Sequence, residues 1–345
     1  MAAYQPPFQL THRRTTLVAD IAERLGAWKA ANRGALLPEL RRGNRIRSLQ
    51  ASLAIEQNTL SVEQVTAVLA GKPVLGSPRE VQEVRNAFAA YEAMERWQPH
   101  RLANLLQAHG LLMAGLVDRP GKLRDGDVGI WRGKKLLHMA PPAGQLPRLV
   151  KDLLGWLRRT DAHPLVASAA FHYDFEFIHP FSVGNGRMGW LWQTLVLSRW
   201  QTMLAWLPVE TVIRHRQRDD YAHLARADAA SDCSGFVEFM LQAIADSLEE
   251  AIAAETRVET RVEMRVDPQR RTPDQVLSLL RSQPALTLAE VAEAIGRVRS
   301  SFAAADAPEN IEGIDNGLDY LGLLKSEGST NGLDQIGMDG VDDAM

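Results

Sequence analysis

Apolar residues recur at helical spacing along most of the chain, and this periodicity restricts the fold more than any other feature of the sequence. Within residues 17–31, Ile21, Leu25 and Trp28 fall on one stripe, as in an amphipathic helix that packs against a core. We therefore expect a mostly α protein. The same spacing predicts further helices over residues 46–55, 61–69, 78–97, 99–113, 147–157, 164–177, 186–200, 212–226 and 236–255.

Two local signals show where a helix begins and where helices give way to a hairpin. Ser61 is a preferred N-terminal cap, and Gln64 stands three residues later, where its side chain can reach back to the cap. Residues 115–147 are instead rich in Gly, Pro and Asp, with short apolar runs between residues 128 and 138. This segment predicts a loop that carries a small β-hairpin.

The composition narrows the class of protein. The chain has 345 residues, of which 46% are hydrophobic and 23% charged, and its formal net charge is −3. This balance is ordinary for a globular protein and gives no general positive field for nucleic acid. The single cysteine, Cys233, excludes a disulfide framework and favours a reducing compartment. We expect a cytoplasmic protein with no membrane partner, because no apolar run suits a membrane span and residues 1–10 lack the features of a secretory signal.

Residues 179–187, with the sequence His-Pro-Phe-Ser-Val-Gly-Asn-Gly-Arg, predict a phosphate-binding loop at the start of a helix. The first turn of a helix has unpaired N–H groups that suit phosphate oxygens. Gly184 and Gly186 allow close approach of the backbone, and Arg187 can fork onto phosphate. His179 can accept a proton from a hydroxyl near neutral pH. The alternative is a plain helix–loop–helix corner, but the combination of these residues favours a nucleotide site.

The segment from His179 to Trp190 resembles the active-site motif of the Fic family, H-P-F-x-[DE]-G-N-G-R-x-x-R, and the likeness extends over about residues 15–250. The resemblance implies a helical Fic fold with a β-hairpin flap. It also implies transfer of AMP from ATP to a Tyr, Thr or Ser hydroxyl of a protein, with His179 as the catalytic base. The residues that it places around the phosphates are Phe181, Gly184, Asn185, Gly186 and Arg187.

The resemblance further assigns the hairpin the role of a flap that docks the target protein. Edge strands bind an extended segment through backbone hydrogen bonds. The partner would therefore be a protein substrate, while self-modification and homodimer formation stay open. The flap residues expected to dock the target are Val128, Ile130, Leu136 and His138.

Two positions depart from the family motif. Val183 stands where the family has an acidic residue that holds Mg²⁺ (or Mn²⁺), and an aliphatic side chain cannot ligate a hard cation. Trp190 replaces the final arginine, which in the family contacts the γ-phosphate and pairs with an inhibitory glutamate. We expect ATP binding with weakened catalysis, because a metal stabilises charge in the transition state. The alternatives are a non-catalytic nucleotide-binding regulator and an enzyme that removes AMP.

Ser52 and Glu56 lie four residues apart on one predicted helix face and resemble the family's inhibitory motif, [ST]-x-x-x-E-[GN]. By this resemblance Glu56 points into the nucleotide site and holds ATP in a non-reactive pose. Gln57 departs from the Gly or Asn of the motif. Because the usual arginine partner is missing, Arg187 is an alternative partner for Glu56. An ordinary glutamate at a helix end is the plainer interpretation.

The C-terminal part predicts a separate module. The segment around residues 287–302 resembles a winged-helix unit, but after Ser301 the chain has one lysine and no arginine. DNA binding depends on positive charge, so packing or dimer formation is the stronger expectation here. The predicted organisation is N-terminal helices with the inhibitory motif (1–110), a Fic core (111–255), a charged helix or linker (256–271), a winged-helix-like module (272–330) and a disordered tail (331–345).

Overall fold

The structure is a computed structural model that describes residues 4–31, 38–132 and 135–265. Within these ranges the chain forms α-helices and one antiparallel hairpin, which confirms the prediction of a mostly α fold. The elements are α1 (His12–Ala31), α2 (Pro38–Ile55), α3 (Val62–Leu69), α4 (Pro78–Ala93), α5 (Leu102–Leu112), β1 (Gly129–Arg132), β2 (Lys135–Met139), α6 (Leu146–Arg159), α7 (Pro164–Ile178), α8 (Asn185–Trp200), α9 (Val209–His215), α10 (Gln217–Ala230) and α11 (Ser234–Arg265).

Local sequence signals account for several of these boundaries. The Ser61 hydroxyl accepts a hydrogen bond from the Gln64 backbone N–H at 3.2 Å, and Gln64 Oε1 accepts from the Ser61 N–H at 2.9 Å. The predicted capping box at the start of α3 is therefore confirmed. The helix α1 begins at His12, ahead of the predicted start, and it buries Ile21 and Leu25 as its apolar stripe requires.

One predicted helix is divided in two. Residues 212–226 were expected to be continuous, but α9 ends and α10 begins around Arg216, whose backbone leaves the helical region at φ −115° and ψ 25°. The Arg216 guanidinium lies 2.6 Å from the Asp246 carboxylate of α11. Periodicity does not reveal such a break, because the residues on both sides remain helical.

Helices α7 and α8 form the centre of the fold. Buried residues lie on nearly every face of α7, including Phe171, Tyr173 and Phe175, and α8 is similarly enclosed around Trp192. A helix that is buried all round belongs in the interior of a protein. The loop that joins these two helices is therefore held by the most enclosed elements of the structure.

Residues Met1–Arg257 belong to one compact unit, which contains both the predicted N-terminal helices and the predicted core. Beyond residue 257 the structure describes the backbone of the last turns of α11, as far as Arg265. The predicted winged-helix-like module and tail lie outside the described residues. Within the described part of the chain, no helix is both long enough and apolar enough to cross a membrane.

Candidate active site

The loop between α7 and α8 depends on two left-handed residues. His179 ends α7 with φ 49° and ψ 61°, and Gly184 precedes α8 with φ 87°. A Cβ atom at Gly184 would lie 2.7 Å from Met113 Sδ. Both the positive φ and the close contact therefore require glycine at this position.

Asn185 closes the loop with its side chain. The Phe181 N–H donates to Asn185 Oδ1 at 2.9 Å, and Asn185 Nδ2 donates to the Phe181 carbonyl oxygen at 2.8 Å. Phe181 is fully buried, and its ring stacks on His109 with centroids 3.7 Å apart. The Asn185 side chain thus fixes the loop, and Asn185 is also the first residue of α8.

His109 supports the loop from α5, a role that sequence reasoning did not assign. The Gly121 N–H donates to His109 Nδ1 at 2.8 Å, so Nε2 carries the proton and donates to the Val183 carbonyl oxygen at 3.0 Å. Burial lowers the pKa of His109, in keeping with this neutral tautomer. A histidine far from the motif gives no signal in the sequence that it stacks beneath Phe181.

His179 is arranged as a neutral base. Its Nδ1 lies 3.4 Å from the Glu176 carbonyl oxygen, which places the ring proton on Nδ1 and leaves a lone pair on Nε2. Burial lowers the pKa of His179 to about 4, and the nearby positive charges of His138 and Arg124 act in the same direction. The imidazole is therefore unprotonated at neutral pH and able to accept a proton.

The first turn of α8 supplies the anion-binding groups. The first helical hydrogen bond runs from the Met188 N–H to the Gly184 carbonyl oxygen at 3.0 Å. The amides of residues 185–187 therefore precede the helical hydrogen-bond ladder, and they are the groups that suit phosphate oxygens. The loop that leads to these amides begins at His179, the residue that ends α7.

Glu56 reaches this first turn from the end of α2. A Cβ atom built on Gly186 would collide with the Glu56 carboxylate. Although solvent reaches Glu56, the surrounding protein desolvates its carboxyl and raises its pKa, while the charge of Arg187 acts in the opposite direction. The structure thus brings together Glu56, Gly186 and Arg187.

The turn after α2 explains the sequence around Glu56. The Asn58 N–H donates to the Leu53 carbonyl at 3.0 Å and the Gln57 N–H to the Ala54 carbonyl at 3.1 Å. This is a Schellman cap, in which the residue after the helix is left-handed, and Gln57 has φ 71°. Gly or Asn at this position relieves that strain. Ser52 is buried and donates to the Leu49 carbonyl within its own helix at 3.0 Å.

Arg187 contacts a residue that the sequence did not indicate. Its Nη1 atom lies 3.3 Å from Glu83 Oε1 of α4, and both side chains are at least nine-tenths buried. Asn58 Nδ2 donates to the other oxygen, Glu83 Oε2, at 2.9 Å. The turn that carries Glu56 and the only motif arginine are therefore linked through one carboxylate of α4.

The described side chains of the loop and its surroundings do not form a binding site for a metal ion. Val183, at the acidic position of the motif, is 40% exposed and offers only an aliphatic side chain. Burial raises the pKa of the nearby carboxyls of Glu56 and Glu176, which weakens them as anionic ligands. In the ranges that the structure describes, no three His, Cys, Asp or Glu side chains converge as metal ligands do.

Trp190 is part of the core. It is 3% exposed, and its ring lies 4.3 Å from that of His172. Burial lowers the pKa of His172 to about 4, so this imidazole is neutral. The side of α8 that bears an arginine in the motif is therefore an apolar contact in this chain.

The flap has the expected hairpin backbone. Strands β1 and β2 pair in antiparallel register, with Ile130 opposite His138 and Trp131 opposite Leu136, and the register shifts between Ile130 and Trp131. The Ala140 N–H extends the pairing to the Val128 carbonyl at 3.0 Å. Docking of a target by this flap stays a prediction.

The His138 side chain lies at hydrogen-bonding distance from two other residues of the chain. Its Nε2 lies 2.8 Å from the Phe177 carbonyl oxygen and its Nδ1 lies 2.8 Å from Asp228 Oδ2. Both neighbours accept hydrogen bonds and so favour the protonated ring, and the hydrogen bond with Asp228 raises the pKa of His138. The bond to the Phe177 carbonyl ties the flap to the end of α7, two residues before His179.

Arg124 holds the base of the flap. Its guanidinium donates to the carbonyl oxygens of His179, Gly126 and Pro141 at 2.8, 2.7 and 2.6 Å. The residue is 6% exposed. Its hydrogen-bonding groups thus position the histidine and the flap relative to each other.

The comparisons with known proteins identify the family to which this fold and site belong. Residues 99–197 match the family model described as Fic/DOC family. The crystal structure of a Fic family protein from Desulfovibrio desulfuricans G20 is 53% identical, with a TM-score of 0.72 over 87% of this chain and 89% of that one. The chain therefore belongs to the Fic family.

More distant relatives extend the comparison. Fic-1 from C. elegans (aa134–508) shares the fold at 21% identity, with a TM-score of 0.58 over 71% of this chain and 73% of that one. The protein adenylyltransferase Fic of Culex quinquefasciatus is 29% identical over 219 residues. That match covers 60% of this chain but 41% of the relative, so the chain spans less than half of the relative's length.

Proposed function

We propose that this Fic protein transfers AMP from ATP to a Tyr, Thr or Ser hydroxyl of a protein, and that Glu56 inhibits the transfer. The observation that carries the proposal is the neutral His179 beside the unpaired amides of the first turn of α8. A base and an anion site are the two groups that this reaction requires of the protein. Relatives named protein adenylyltransferase Fic support the assignment.

In the proposed reaction, His179 Nε2 accepts the proton of the target hydroxyl while the oxygen attacks the α-phosphorus. The new bond is a phosphodiester between the protein and AMP, and the bond from the α-phosphorus to the bridging oxygen breaks. Pyrophosphate leaves with that electron pair, and His179 later returns the proton to solvent. The amides at the start of α8 hold the charge on the phosphate oxygens.

Inhibition follows from the position of Glu56. Its carboxylate occupies the space against Gly186 where phosphate oxygens would approach the helix. A negative group at that place repels the outer phosphates and prevents the in-line pose that transfer requires. The absence of a loop carboxylate at Val183 further lowers the rate, because the charge of pyrophosphate is not neutralised by a metal there.

The test uses ATP labelled at either the α- or the γ-phosphate. Purified Glu56→Gly protein is expected to retain α-label covalently and no γ-label, while the native chain retains little of either. Gln57→Gly is the matched control, because it alters the same turn and leaves the carboxylate in place. Retention of γ-label would contradict AMP transfer and indicate a different reaction.

A second candidate function is a non-catalytic nucleotide-binding regulator. Val183 and the buried Trp190 favour it, since both remove groups that stabilise the triphosphate. Binding of ATP by calorimetry without α-label in the Glu56→Gly protein would support the regulator. A cytoplasmic location, a protein partner and a C-terminal module that favours packing or dimer formation over DNA binding also remain predictions from the sequence.

A further inference from the structure

Arg187 is held by α4 and yet keeps unused hydrogen-bond donors. The ion pair with Glu83 joins Nη1 and Oε1 at 3.3 Å. Within the described residues, Arg187 Nε and Nη1 are buried and have no hydrogen-bond acceptor. Buried donors are normally satisfied, so a guanidinium in this state has the capacity to bind an oxyanion.

Glu83 is itself fixed in place. Asn58 Nδ2 donates to Oε2 at 2.9 Å, and the Arg79 Nε atom lies 3.5 Å from Oε1. Asn58 follows Glu56 by two residues in the same turn. The position of Glu83 is therefore coupled to that of the inhibitory turn. Moving the carboxylate away from Arg187 would break its hydrogen bond with Asn58.

Because Trp190 replaces the final arginine of the motif, the contact between Arg187 and Glu83 involves the one arginine that the motif retains. Trp190 is buried against His172 and carries no charge, so Arg187 is the one arginine between residues 179 and 190. A phosphate that binds Arg187 must compete with the carboxylate already beside it. Two negative groups cannot both approach one guanidinium closely without mutual repulsion.

We propose that Glu83 competes with nucleotide phosphate for Arg187 and thereby sets the affinity of the site for its donor. This inference rests on the proposed function in one respect, namely that ATP is the donor. Glu83 acts through Arg187 and is a positioning residue. It is a second carboxylate, carried by a different helix, that opposes the same phosphates as Glu56.

The experiment measures ATP affinity by calorimetry, which needs no protein target. Glu83→Gln keeps an oxygen for Asn58 but removes the charge, and it is expected to tighten ATP binding about tenfold. In an Arg187→Gln background the same change is expected to have no effect, which a merely structural role would not produce. Glu249→Gln, at a surface pair with Arg24, is the matched control and is expected to leave affinity unchanged.

Thermal melting establishes that each variant is folded. Glu83→Asp retains the charge but moves it one methylene away from Arg187, so it is expected to give a smaller gain in ATP affinity. This variant replaces Glu83→Gln in the test if the glutamine variant does not fold. Unchanged or weaker ATP binding in both Glu83 variants would overturn the inference. An equal gain with and without Arg187 would overturn it as well.

The two proposals fail separately. Tighter ATP binding by Glu83→Gln together with no AMP transfer by Glu56→Gly would sustain the role of Glu83 and contradict the enzyme. Transfer by Glu56→Gly with no change in affinity for Glu83→Gln would sustain the enzyme and contradict the role of Glu83.

Discussion

The two sides of the candidate site are built in different ways. The loop of residues 179–187 is closed by hydrogen bonds between two of its own members, Phe181 and Asn185, and is supported from outside by His109 and Arg124. The inhibitory side combines Glu56 after the end of α2, Glu83 within α4 and Arg187 of α8, which are distant in sequence. The comparison indicates that the catalytic groups are contiguous in the sequence, whereas the residues that control them meet only through tertiary packing.

The largest expected effect comes from restoring charge to the loop. Because the loop is held through its backbone and through Asn185, Val183→Asp is expected to keep its shape and to supply the missing metal ligand. In the Glu56→Gly background, AMP transfer with Mg²⁺ should rise roughly 10²-fold, the size of a strong electrostatic contribution. The measurement is the initial rate of α-label incorporation.

The control for that prediction is the other departure from the motif. Trp190→Arg would place a charge in a core position that is 3% exposed, so it is expected to unfold the protein partly and to give no gain. Equal rates for Val183→Asp with and without Mg²⁺ would show that the loop does not position a metal ligand.

The next largest effect tests whether the hydrogen bonds between Phe181 and Asn185 hold the loop in shape. Asn185→Ala removes both hydrogen bonds to Phe181 and leaves buried backbone groups without partners, so the free energy of unfolding should fall by about 2–4 kcal/mol. Urea denaturation measures it. Gln145→Ala on the surface is expected to change stability by less than about 0.5 kcal/mol. A loss at Asn185 no larger than that control would mean that packing elsewhere holds the loop.

The sequence predicted the loop side better than the inhibitory side for physical reasons. Gly184 acts through its own left-handed backbone, so its role follows from the motif around it. Glu83 gave no signal, because its role exists only when α4 packs beside α8. The helix break at Arg216 was also missed, since the residues on both sides of it remain helical.

A third prediction concerns pH and the flap. The folded pKa of His179 is about 4, below that of the unfolded side chain at about 6.5, so burial of the neutral ring stabilises the fold above pH 6.5 and this stability is lost as the pH falls toward 4. NMR should therefore show no titration of His179 between pH 6 and 8. His138→Gln removes a neighbour whose positive charge lowers the pKa of His179, so the pKa of His179 should rise in this variant.

His223→Gln is a suitable control for that titration, because His223 stacks on Phe239 and lies outside the contacts of His179. A His179 resonance that titrates near pH 6.5 in the native protein would show that the ring is neither buried nor affected by His138.

The smallest effect tests the turn after α2. Gln57→Gly removes a side chain from a residue at φ 71°, and it should stabilise the fold by about 1 kcal/mol because a left-handed backbone is strained for other residues. The same change should leave AMP transfer as low as in the native chain. Destabilisation, measured by urea denaturation, would mean that the Gln57 side chain makes a contact that outweighs the strain.

The central claim is that His179 performs AMP transfer on the site that Glu56 blocks. Intact-mass spectrometry after incubation with ATP tests it most directly, by comparing Glu56→Gly with the double variant Glu56→Gly/His179→Ala. The account predicts addition of AMP to protein in the single variant and none in the double variant. Equal addition in both variants, or none in either while ATP is bound, would contradict it.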